Sequence, residues 1–93
     1  MGAFKEIHKA LYAEQYNRQE IIEAFKNYST AIITDPVTAS DPYTIRELQR
    51  EGALLCQSAR LKAKDNKDRS GVKAISKLHD DFLREAGDLP PLE

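Results

Sequence analysis

The 93-residue chain has no tryptophan, one cysteine, four glycines, four prolines and almost no net charge. Each shortage excludes something. A lone cysteine, Cys56, forms no internal disulfide, so the fold is expected to hold without a covalent staple in a reducing, intracellular, cytoplasmic setting. No apolar run approaches the roughly 20 residues of a membrane span, and no membrane partner is expected. The opening stretch MGAFKEIHKALYAEQY lacks the apolar centre of a signal peptide. Its Glu6 stands where a myristoylation motif has Ser or Thr. With 14 Lys and Arg against 15 Asp and Glu, net charge −1, the whole chain carries no field that would favour nucleic acid or membrane.

Catalytic signatures are missing too. The sequence has no P-loop, dinucleotide fingerprint, nucleophile elbow or zinc-ligand spacing. His8 and His79 are the only histidines, and the adjacent residues His79, Asp80 and Asp81 splay apart on a helix instead of converging on a metal. Cys56 has no histidine near it in sequence and reads as a buried structural thiol. The expectation is a protein that is not an enzyme and uses no cofactor or metal.

What is present is helical patterning. Phe4, Ile7 and Leu11 recur at i, i+3, i+7, with Tyr12 beside them. Asn17 followed by Glu20 has capping-box spacing and starts a second helix at Arg18, striped by Ile21, Phe25, Tyr28 and Ile32. No Gly or Pro enforces that break, so one bent helix over residues 4–33 is the alternative. The Asn27–Ser29 glycosylation triplet lies inside this pattern and reads as coincidence. Asp35-Pro36 stops the helix near Thr34, the spacer PVTAS follows, and Asp41 caps a third helix with Pro42 in its first turn. That helix carries Ile45, Leu48, Gly52, Leu55 and Ala59, widened by Leu54, Cys56 and Leu61. Gly52-Ala53 offers a neighbouring helix a close approach. A fourth helix runs from about Gly71 to Ala86 through Val72, Ile75, Leu78, Phe82 and Leu83, with Gly87 as a left-handed cap.

Helices this short are stable only when their apolar stripes meet. The predicted fold is therefore all-α, a compact antiparallel bundle of three or four helices. Residues 1–87 form a single domain and 88–93 an extended C-terminal tail. Leu48, Leu55, Ile75 and Phe82 are expected at the core's centre, and Tyr16 and Tyr43 at exposed junctions.

Charge is unevenly distributed. Residues 60–77 hold Arg60, Lys62, Lys64, Lys67, Arg69, Lys73 and Lys77 against Asp65 and Asp68, a net +5, whereas residues 78–93 are net −4. Lysines at the start of the fourth helix and acids towards its end oppose the helix dipole. One reading is an anion site on Arg69, Ser70, Gly71 and Lys73 that uses free N–H groups at the helix start. The bland reading is a solvated hinge, with Arg60, Lys62 and Lys64 complementing the preceding helix end. The functional expectation is a small protein-interaction module, an adaptor or a self-associating bundle. The alternative is a nucleic-acid-associated protein that contacts phosphates through the basic patch Arg60, Lys62, Lys64, Lys67 and Lys77.

Overall fold

The computed structural model describes residues 2–91. Regular structure among them is entirely helical: α1 (Gly2–Leu11), α2 (Arg18–Thr34), α3 (Pro36–Ala39), α4 (Pro42–Asp65) and α5 (Arg69–Glu85). The class is all-α, as expected, but the helices number five, not three or four. The extra one is the PVTAS spacer. There the Asp35 carboxylate accepts the Val37 N–H at 3.0 Å and Pro36 presets a helical φ, so a single turn winds up where a plain break was expected.

Local signals set the other boundaries. Asn17 is extended (φ −137°) and its Oδ1 accepts the Glu20 N–H at 3.2 Å, which separates α1 from α2. α2 ends at Thr34, ahead of Asp35-Pro36. Asp41 caps α4 by accepting the Tyr43 N–H at 3.1 Å, and its second carboxylate oxygen accepts the Thr44 hydroxyl. At the far end Gly87 takes φ 83°. Its N–H donates to Arg84 O and that of Asp88 to Leu83 O, a complete Schellman closure.

The α4–α5 turn differs from expectation. α5 starts at Arg69, and Gly71 lies inside its first turn, not ahead of it. The left-handed residue is Lys67 (φ 56°), with Lys67 N–H to Lys64 O at 3.0 Å and Asp68 N–H to Ala63 O at 2.9 Å. A lysine thus performs the closure usually given to glycine, and Asp68 then caps α5. No glycine marks the turn in the sequence, so Gly71 drew the boundary to itself.

α4 is the spine. Its 24 residues span about 36 Å at 1.5 Å per residue, close to the 39 Å long dimension of a molecule only 16 Å thin. All four other helices pack on it. It turns inward a seam of small residues, Gly52, Ala53, Cys56, Ala59 and Ala63, all buried. A Cβ on Gly52 would stand 2.8 Å from the Phe82 ring, so α5 approaches as closely as the expected Gly52-Ala53 contact requires. The pair is antiparallel: Gly52 meets Phe82, and Arg50 meets Asp88 just beyond α5, at the end away from the turn.

The remaining core comes from α1, α2 and α5. Ile7, Leu11, Ile21, Phe25, Tyr28, Ile32, Ile75 and Phe82 are buried, with Phe82 ring-to-ring against Phe25 at 6.2 Å and Tyr28 at 5.9 Å. Ile75 and Phe82 hold the central places expected of them. Leu48 and Leu55 are only partly buried, because the small-residue seam faces inward and they flank it. Asp88, the first residue of the expected tail, is tied to α4 by two hydrogen bonds from Arg50, at 2.8 and 3.0 Å. Leu92 and Glu93, the last of that tail, and Met1 lie outside the described residues. No described helix is long and apolar enough to cross a membrane.

Candidate interaction surfaces

Arg69, Ser70 and Lys73 are exposed on α5, as the anion-site reading needs, but Gly71 is buried. The helix-start donor expected to be free is taken: the Gly71 N–H donates to Asp68 Oδ1 at 3.0 Å. Asp68 Oδ2 accepts the Tyr16 hydroxyl at 2.6 Å, and Oδ1 also accepts Arg18 Nη1 at 3.0 Å. The chain thus carries its own carboxylate at the helix start, the favourable end for a negative charge. Tyr16 comes from the α1–α2 link and Arg18 opens α2, so this cluster also ties the start of α2 to the α4–α5 turn. A Cβ on Gly71 would collide with the Asp68 carboxylate and stand 2.6 Å from Tyr16 Oη, which is why glycine occupies that position. The Tyr16 hydroxyl and the Gly71 amide hold the Asp68 carboxyl below its usual range, with Arg18 adding to it. Burial and the hydrogen bond to Asp68 push Tyr16 up to about 12.

Sequence spacing alone had no means of finding Tyr16: its partner is 52 residues away. The tyrosines exchange roles as a result. Tyr16, expected at an exposed junction, is partly buried, and Tyr12, expected on a buried stripe, is 72% exposed. Asp68 did carry a signal, an acid three residues ahead of a helical N–H, which is N-cap spacing.

The basic segment separates into parts. Lys62 Nζ lies 5.8 Å from the centre of the Tyr12 ring, a cation–π contact. Arg60 is half-buried beside Cys56, and Lys64 and Lys67 stand at the α4–α5 turn. Arg69, Lys73 and Lys77 recur at i, i+4, i+8 as exposed side chains along one face of α5.

The other expected chemistry is quiet. Cys56 is buried and free, and burial pushes its thiol up to about 12 despite the Arg60 charge, the opposite of an activated nucleophile. His79 Nδ1 is 3.1 Å from Asp80 Oδ1. Among the described residues no group of three or more His, Cys, Asp or Glu is placed to hold a metal.

Two surface features were not anticipated. A groove of about 820 Å³ runs between α2, α4 and α5, with Ile33, Leu78 and Phe82 among its lining residues and Gln49 on α4. Gln49 is 2% exposed, and its Oε1 has no hydrogen-bond partner among the described residues. The second feature is the outer side of α4. Tyr43, Leu54 and Leu61 are 67%, 56% and 62% exposed. Spaced by 11 and 7, they fall within about 20° of one another on the helix, on the side away from the small-residue seam. Leu54 and Leu61 were expected to widen the buried stripe. The structure turns them outward, because apolar residues cover more of α4 than one buried face accommodates and the small ones occupy it.

No family model, no curated protein and no solved structure matches the chain, so its geometry alone carries the functional reading.

Proposed function

We propose that the chain is a small protein-interaction module that presents the outer ridge of α4 to another protein surface. One observation carries this: three large apolar side chains, Tyr43, Leu54 and Leu61, stand exposed in line on the longest helix, although α4 buries little beyond small residues inside. Grouped exposed apolar residues mark contact surfaces more often than scattered ones, and tyrosine with leucine suits an anchor that enters a partner's pocket. The role requires no catalysis and no cofactor, and it suits the intracellular setting that the single cysteine suggests. The test is differential capture from the native host by the wild type and by Leu54→Lys/Leu61→Lys. The variant should keep its circular dichroism and melting temperature and lose the captured protein. Identical capture by both would remove the ridge as the contact surface.

A second reading is favoured by the row Arg69, Lys73, Lys77 on the open face of α5. Like charges at i, i+4 repel one another, and phosphates would relieve that repulsion. If this row binds duplex DNA through three phosphates, the affinity falls with salt at a log–log slope of about −3. A flat slope would exclude it.

A further inference from the structure

The charges beside the α4 ridge identify its partner more narrowly. On one side of Tyr43, Leu54 and Leu61 lie Arg46, Arg50, Gln57 and Lys64. On the other lie Glu47, Glu51, Ser58 and Asp65. At about 100° per residue these two sets do not mix, and the one basic residue on the acidic side, Lys62, is engaged with the Tyr12 ring. The ridge therefore has one basic and one acidic edge, charged towards the two ends of the helix with Gln57 and Ser58 between. Arg50 is already committed within the chain, to Glu47 at 2.9 Å and to Asp88. Arg46 and Lys64 remain as basic side chains that make none of the chain's ion pairs among the described residues, and Glu51 and Asp65 remain so on the acidic edge.

From this we infer that the occupant of the ridge is a second copy of the chain, with the two α4 helices side by side and parallel. The inference rests on the reading of the ridge as a contact surface. A two-fold axis parallel to the helices places the basic edge of each copy against the acidic edge of the other. In height Lys64 lies about 1.5 Å from Asp65 of the second copy, and Arg46 about 1.5 Å from Glu47 and about 7.5 Å from Glu51, a span that a long arginine side chain bridges. An antiparallel pair centred on Leu54 makes the opposite arrangement. Each edge then runs against its own kind, with Arg46 nearest Lys64 and Glu47 nearest Asp65, so both edges repel. Only the parallel pair satisfies the apolar ridge and both edges at once. The seam that packs on the other helices lies on the side of α4 opposite the ridge, and of the segments beyond it Asp88 reaches round to Arg50 on the basic edge. With three apolar side chains per copy the contact is modest, and an association of roughly micromolar strength is expected.

The experiment is sedimentation equilibrium of the purified chain from about 1 to 500 μM, at low and high salt. A monomer–dimer equilibrium is expected, weakened several-fold by salt as the edge charges are screened. Leu54→Lys/Leu61→Lys should raise the dissociation constant at least about tenfold. Two charge variants test the edges: Arg46→Glu/Lys64→Glu makes both edges acidic, and Glu51→Lys/Asp65→Lys makes both basic. Each alone should be monomeric, and an equimolar mixture should dimerise. Orientation is read from Tyr43→Cys. In the parallel pair the two new thiols meet and oxidise to a linked dimer. In an antiparallel pair they are about 33 Å apart at 1.5 Å per residue and cannot. A chain that stays monomeric throughout overturns the inference, as does a dimer untouched by the ridge or charge variants, or one that Tyr43→Cys does not link. A monomeric chain whose differential capture still depends on Leu54 and Leu61 would retain the interaction module and remove only the second copy as its partner.

Discussion

The two faces of α4 are made of opposite materials. The inner face is glycine, alanine and cysteine, and every one of those residues is buried. The outer face has tyrosine and two leucines, all more than half exposed. Apolar character alone does not say which face is the core, since both faces have it. Side-chain size does. Small residues mark where another helix backbone comes close, and at Gly52 the Phe82 ring fills the space a methyl group would need. Large outward residues mark a surface that this chain alone does not cover.

The strongest way to break this comparison is on the inner side. Phe82 contacts Gly52, Phe25 and Tyr28 and is 3% exposed. Phe82→Ala should cost about 3–5 kcal/mol, read by urea unfolding with an unchanged m-value. Leu55→Ala, which sequence periodicity places at the same depth, should cost less than half as much because Leu55 is only partly buried. Equal losses would mean that the seam is not the core-facing side. Next in size is Gly52→Ala. The helix gains about 1 kcal/mol of intrinsic preference, but the new methyl meets a ring held on its other side by Phe25 and Tyr28. Overpacking of this kind costs about 1–3 kcal/mol, so a net loss is expected. A gain in melting temperature would show that the ring can move away.

These residues also show what was legible in the sequence. Asn17, Asp35-Pro36, Asp41-Pro42 and Gly87 act on their immediate neighbours, so their effect could be read from spacing. The close approach at Gly52 was legible for the same reason, since a glycine inside a helix needs a local explanation. The α4–α5 turn was not, because Lys67 adopts a conformation its side chain does not advertise. The Tyr16–Asp68 contact was invisible to periodicity, as was the outward turn of Leu54 and Leu61 from a stripe whose Gly52 and Ala59 are buried as expected. Each depends on residues that only the assembled fold brings together. The candidate surfaces follow the same division. The basic row on α5 was visible as charge, whereas the ridge on α4 appeared only once the seam had taken the inner side.

The closed end of the seam is tested by pH. The folded-state value of Tyr16, about 12, stands above the ordinary value of 10. Its contribution is therefore complete below pH 10 and is lost as pH rises from 10 to 12. Tyr16→Phe should be less stable than wild type near neutrality and lose less between pH 10 and 12. Tyr28 and Cys56, also pushed to about 12 by burial, keep their share of the alkaline slope. The mirror holds for Asp68, whose lowered value stabilises the fold above about pH 4 and is lost as pH falls below it. An unchanged alkaline slope in Tyr16→Phe would mean that the hydroxyl does not hold the turn.

The inner face also has one misfit, Gln49. A buried amide oxygen without a partner costs on the order of 1–3 kcal/mol. Methionine has nearly the same length and leaves no acceptor to satisfy, so Gln49→Met should raise stability by about 1 kcal/mol in thermal or urea unfolding. A loss of that size would show that the amide is bonded in solution and belongs to a polar network in the groove.

The smallest effect is expected on the outer face. Leu54→Gln/Leu61→Gln removes two apolar side chains from positions that are 56% and 62% exposed. Measured at about 1 μM or below, the change in unfolding free energy should stay within about 0.5 kcal/mol, as for other surface substitutions. Glutamine is a helix former close to leucine in rank, so no propensity term intervenes. The informative variable is protein concentration. If the ridge pairs with a second copy, association binds only the folded chain, and the wild-type melting temperature rises with concentration. The double variant's should not. A loss above about 1 kcal/mol at the lowest concentration would instead place Leu54 and Leu61 in the chain's own packing, and the contrast between the two faces of α4 would fail.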